Sequence, residues 1–197
     1  MRTVPWWAVL SSACAPVLLI GGWQLAASRQ PGGFDPVSQT ISALAARGAT
    51  QPWIMTTALA GVGVCHAITA AGLASAAVPG RALLAAGGAA TVAVGALPLP
   101  VTGLSPAHVA AASIAFPALS LWPAFAARRG AKPGPVVWRC AAAGLLGLLS
   151  WFGVDYFGEG SRIGLSERVL AGAQSLWPLV AVLLSRYADR NSVPNSD

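Results

Sequence analysis

Six apolar runs, each long enough to cross a bilayer, follow one another along the chain and leave few polar residues to face water. The hydrocarbon core of a membrane is about 30 Å thick, so a spanning helix needs about 20 mostly apolar residues. The runs cover 5–27, 53–75, 82–101, 106–127, 136–157 and 166–187. Of 197 residues, 55% are hydrophobic and 9% charged, with a mean hydropathy of +0.64. A soluble domain carries about 25% charged residues, so most of this chain has no water to meet. The pattern predicts an all-α integral membrane protein, a bundle of about six transmembrane helices over 1–187. A polar, disordered cytoplasmic tail is expected over 188–197. The first run exceeds the roughly 7–15 apolar residues of a signal-peptide core and reads as a retained span.

The net charge of +6 does not point to nucleic acid, because the basic residues form no patch among aromatics. They sit in short stretches between the runs, as topology signals do. With six spans the two termini share a side with the second and fourth loops. That side holds eight of the twelve cations, Arg2, Arg81, Arg128, Arg129, Lys132, Arg139, Arg186 and Arg190. Arg29, Arg47, Arg162 and Arg168 make four on the other. A cell-membrane location with both termini cytoplasmic is therefore expected. The tryptophans, Trp6, Trp7, Trp53 and Trp138 among them, fall mostly near predicted span ends, as an aromatic belt would place them. Trp122 and Trp177 each precede a proline and are candidates for kinks that open a lateral groove.

The first loop is the longest. Within it, Asp35 suits a helix N-cap, Pro36 the first helical position and Gly48 a C-terminal stop. Val37, Ile41 and Leu44 share one face of that helix. The loop therefore predicts a short extracytoplasmic amphipathic helix, too short to span.

Four of the six acids, Asp35, Asp155, Glu159 and Glu167, map to this same side, together with four arginines and His108. Ionisable groups at a membrane boundary are costly unless paired, and function is a common reason to keep them. Asp155, Glu167 and His108 are the candidate catalytic residues, as acids and a general base. Each has an ordinary structural reading too. Glu167 would complement a helix dipole, Asp155 and Glu159 would pair with Arg162 or Arg168, and His108 would meet lipid phosphate. His66 lies about 20 Å into its run at roughly 1.5 Å per residue, where an imidazole satisfied by a neighbouring helix is expected. Gln174, mid-span, reads as an interhelical hydrogen-bond donor. No metal site is expected, since the two histidines are far apart and the three cysteines, Cys14, Cys65 and Cys140, form no ligand pair. No cofactor motif appears; Gly-x-Ser-x-Gly and phosphate-binding glycine loops are both missing.

Ser38-Gln39-Thr40-Ile41-Ser42 with Leu44, His108 opening the fourth run, and Gly164-Leu165 with Glu167-Arg168 resemble a bacterial and archaeal six-helix membrane family, domain of unknown function nine-nine-eight. The resemblance extends over nearly the whole chain. It implies kinship with the Frag, DRAM and Sfk group, several of which are associated with lipid handling. Relatives often carry an acid where this chain has Ala43, so the resemblance assigns no catalytic carboxylate to the loop helix.

Three functions stay open. The first is binding of a membrane lipid or other apolar small molecule at the extracytoplasmic face. There Ser38, Gln39, Ser42, Arg47 and Arg168 would be ligand-binding residues, beside His108, Asp155 and Glu167. The second is an intramembrane enzyme, a lipid hydrolase or an acid-initiated isoprenoid cyclase. The third is an accessory role with a membrane-protein partner or as a homo-oligomer.

Overall fold

The computed structural model describes residues 4–128, 133–158 and 160–190. Its helices are α1 (Trp6–Ser28), α2 (Ile41–Leu44), α3 (Trp53–Gly72), α4 (Val78–Ala96), α5 (Pro106–Leu121), α6 (Pro135–Phe157) and α7 (Ile163–Arg190). A 3-10 turn, Trp122–Phe125, extends α5. Six of these helices are long and apolar enough to cross a membrane, and α2 is the short exception. Arg2, Arg129, Lys132 and Glu159, along with the tail from 191 onward, lie outside the described residues.

Local signals explain several boundaries. Ser105 accepts a hydrogen bond from the His108 amide at 3.3 Å, and Pro106 occupies the first turn of α5, where its missing N–H costs nothing. Pro79 likewise lies in the first turn of α4. The last helix starts earlier and ends later than its apolar run, reaching from Ile163 to Arg190.

Consecutive long helices run antiparallel and close into a ring in which α3, α4, α5, α6, α7 and α1 are successive neighbours. Two apolar cores result. One joins the C-terminal half of α1, α2, the start of α3, the end of α4 and the start of α5. The other joins the opposite ends of the same helices to Trp122, Trp138 and Val182. Close approach between α3 and α4 rests on a glycine pair. A Cβ on Gly88 would stand 2.6 Å from the carbonyl oxygen of Gly63, and one on Gly63 would strike that of Gly88. The helix α6 stands apart, with 17% of its apolar stretch buried against 50% for α3.

Two expectations need correction. The loop helix does not run from Asp35 to Gly48; only Ile41–Leu44 is helical, and Thr40 is its cap, accepting from the Ala43 amide at 3.2 Å. Asp35 instead folds back on the Val37 and Ser38 amides at 2.9 and 3.3 Å, a local turn that competes with helix. Of the predicted apolar face, Ile41 and Leu44 are buried while Val37 is exposed. Trp122 faces no groove either. Trp122 is fully buried, and Trp138 makes edge-on contacts with it and with Trp177, at centroid distances of 5.5 and 6.1 Å.

Candidate functional site

The loop and the head of α7 are fitted to each other residue by residue. Gly164 lies under the carbonyl of Gln39, and a Cβ there would also stand 2.8 Å from the Pro36 oxygen, so only glycine admits the loop. The Leu165 amide donates to the Val37 carbonyl at 3.0 Å. Arg168 directs one guanidinium nitrogen at the carbonyls of Pro36, Gln39 and Gly164, at 2.9, 2.6 and 2.8 Å. Its guanidinium also rests 5.2 Å from the centre of the Phe34 ring. Residues Ser38 and Gln39 are exposed and work inside the loop. The Ser38 hydroxyl donates to the Asp35 carboxylate, and the Gln39 side-chain oxygen accepts from the Asp35 amide at 3.0 Å. The Ser38 hydroxyl, with help from the Val37 amide, holds the Asp35 carboxyl below its ordinary range.

Glu167 faces inward beside this clamp and is 4% exposed. Its carboxylate accepts from the Ile41 amide, one of the donors that the start of α2 leaves unpaired, and from the Ser42 hydroxyl at 3.5 Å. Arg168, adjacent in sequence, turns to backbone carbonyls and gives the carboxylate no direct hydrogen bond.

Below Ile41 and Ser42 lies a cavity of about 50 Å³. By that measure one water needs about 10–15 Å³, so the space admits a few small atoms. Its walls are Leu19 of α1, Leu59 and Val62 of α3, Val94 of α4, Ala115, Phe116 and Leu119 of α5, and Ala171 of α7. Among these apolar groups stand Glu167 near the roof, and His66, Thr91, Gln174 and Ser175. Five spans and α2 thus enclose the space, and α6 contributes no wall.

The sequence-predicted residues divide between clamp, cavity and neither. Glu167 and Ser42 reach the cavity, while Arg168, Ser38 and Gln39 form the clamp. His108 does not join them. Its Nδ1 lies 2.8 Å from the Leu97 carbonyl, which can only accept, so that nitrogen carries the proton and ties α5 to the end of α4. Asp155 is buried at the end of α6 against Gly160, and its Oδ2 has no partner among the described residues. The side chain of Arg47 is exposed, and its amide donates to Leu99 at 3.0 Å.

Gln174 does hold neighbouring helices together, donating to the Phe116 carbonyl and the Ser120 hydroxyl, both at 2.9 Å. His66 departs from expectation: it is 1% exposed, and its Nδ1 has no hydrogen-bond partner among the described residues. As cavity residues, His66, Thr91, Gln174 and Ser175 escaped the sequence reading. A usable signal was present, since each is a polar group deep inside an apolar run. Among the described residues no group of three or more histidine, cysteine or acidic side chains could hold a metal, and the three cysteines are free.

Compared with known families, residues 13–184 match the model of the family described as "Protein of unknown function (DUF998)". Neither a curated protein nor a solved structure matches the chain. The match spans most of its length, and the chain belongs to the DUF998 family.

Proposed function

Taking this DUF998 membrane bundle as the premise, we propose that it binds an amphiphile, whose apolar end enters the ring of spans beneath α2. One observation carries the reading: an apolar cavity lies at the centre of the bundle, roofed by Ile41–Ser42 and bordered by a buried carboxylate. Apolar walls with a few convergent polar groups are the usual make-up of a small-molecule site. At about 50 Å³ the space is one third of the roughly 150 Å³ that takes benzene, so it holds a chain end and not a whole lipid. A larger occupant requires α2 to lift, and the loop carrying α2 is pinned to α7 by few side chains. The excess of cations near the termini supports an α2 face outside the cell membrane, and on that reading the amphiphile would come from the outer leaflet.

Photolysis of a membrane amphiphile carrying a diazirine near its chain end tests this. Labelling is expected around Ala115 and Ala171, and Ala115→Leu, which fills the space, should reduce it several-fold while the fold is retained. Labelling confined to the lipid-facing surface of α6, and equal in both proteins, would overturn the reading.

The enzyme alternative draws on a separate observation, that Glu167 and His66 share this cavity and are an acid and a base by chemistry. Its cyclase form is disfavoured, because Phe116 is the one Phe, Tyr or Trp ring among the described residues of the wall and carbocations need several such faces.

A further inference from the structure

The polar atoms in the deeper part of the cavity are nearly all acceptors, and this bias constrains what can bind. Thr91 donates its hydroxyl hydrogen to Gly87 of its own helix at 2.8 Å, and Ser175 donates to Gly172 at 2.8 Å. The amide nitrogen of Gln174 donates to Phe116 and Ser120 and has no further hydrogen to offer. Lone pairs remain on the Thr91 and Ser175 hydroxyls and on the Gln174 carbonyl oxygen. None of the three is engaged by a described residue. His66 makes no hydrogen bond to a described residue, and a neutral imidazole supplies one N–H and one acceptor. Three acceptors and a ring with one donor therefore stand around an otherwise apolar space, and His66 is unpartnered and almost wholly buried.

Resting on the amphiphile-binding reading, we infer that the entering chain end itself carries a hydroxyl, so that this inner end is a subsite for an aliphatic alcohol whose hydroxyl donates to the acceptor set and accepts from the His66 N–H. A hydroxyl is the smallest group that does both. An ammonium would leave the His66 N–H without an acceptor. It would also lie far from the Glu167 carboxylate, since seven residues of α7 separate Glu167 from Gln174, about 10 Å at 1.5 Å per residue. A carboxylate or phosphate would bring acceptors against acceptors. One water satisfies the same groups but leaves the apolar part of the wall uncovered, which an alcohol's alkyl chain fills.

The chain has two histidines, so imidazole nitrogen resonances report the site directly, with His108, tied to Leu97, as an internal control. The protein in nanodiscs, labelled with ¹⁵N at histidine, would be titrated with 1-propanol, with propylammonium and with xenon. The inference expects 1-propanol to shift the His66 nitrogens saturably and leave His108 unmoved, with no response to propylammonium. Thr91→Val keeps the shape and removes one acceptor. It should weaken propanol about threefold to tenfold, the worth of one hydrogen bond, and leave xenon unaffected. If xenon enters and propanol moves nothing at His66, the alcohol subsite is wrong and the apolar cavity stands. A matching shift with propylammonium would also overturn it, in favour of a cation. If neither xenon nor propanol enters, this inference and the amphiphile reading fall together.

Discussion

The two ends of the bundle are held by different physics. At the end bearing the chain termini, shape does the work. Trp122, Trp138 and Trp177 stack edge to face in a cluster with Leu73, Leu84 and Val182. Arg81 and Arg128 close the last turn of α3 and the chain just beyond it by donating to the carbonyls of Ala70, Ala71 and Ala74. At the α2 end a few charged and polar groups, Glu167 and Arg168 foremost, grip a loop that has little regular structure of its own. The filled end includes buried indole N–H groups of Trp122 and Trp177 without partners among the described residues, while the gripped end lies over a cavity. Close packing fixes a rigid base. A polar clamp fixes a part that can be released by breaking a small number of bonds, which suits a roof more than a foundation.

The comparison breaks most visibly at the tryptophans. Trp138→Ala should destabilise the whole bundle by about 3 kcal/mol, as large-to-small changes in packed interiors do. The loss would be read as a lower unfolding midpoint in detergent, and a change confined to one helix end would contradict a rigid base. Glu167→Ala is expected to act locally. It leaves the buried Ile41 amide unpaired at a cost of about 1–3 kcal/mol, so amide exchange at Ile41 and proteolysis within 35–47 should accelerate at nearly constant global midpoint. Global unfolding would show that the α2 end belongs to the base.

Asp35 gives the smallest effect and sharpens the picture by its sign. Its folded pKa is depressed by the Ser38 hydroxyl, so its contribution is present above the ordinary value of 3.8 and is lost as pH falls through the lower folded value. Loop proteolysis should therefore rise only below pH 3.8, and Asp35→Asn should remove that dependence.

Much of the frame was legible from residues alone. The apolar runs marked every span, Ser105-Pro106 marked the start of α5, and Gln174 announced a bond between helices. Glu167, Arg168 and Ser42 were also identifiable as members of one polar region. Their division of labour was not. Arg168 grips backbone carbonyls, which carry no sequence signature, and Gly164 matters through a contact with a residue more than a hundred positions away. His108 and Asp155 belong to the same end of the bundle as Glu167, but His108 is tied to the end of α4 and Asp155 is buried at the end of α6, and linear order cannot distinguish these cases.

The sequence determined by itself that the chain lives in a bilayer as six helices, because backbone groups in hydrocarbon must pair within their own segment and the length of each apolar run sets the span. Only the tertiary structure decided that His66, Thr91, Gln174 and Ser175, on three different helices, surround one cavity under α2. That depends on how each helix is rotated about its axis, which is set by contacts between small residues such as Gly63 and Gly88 and is not encoded in hydropathy.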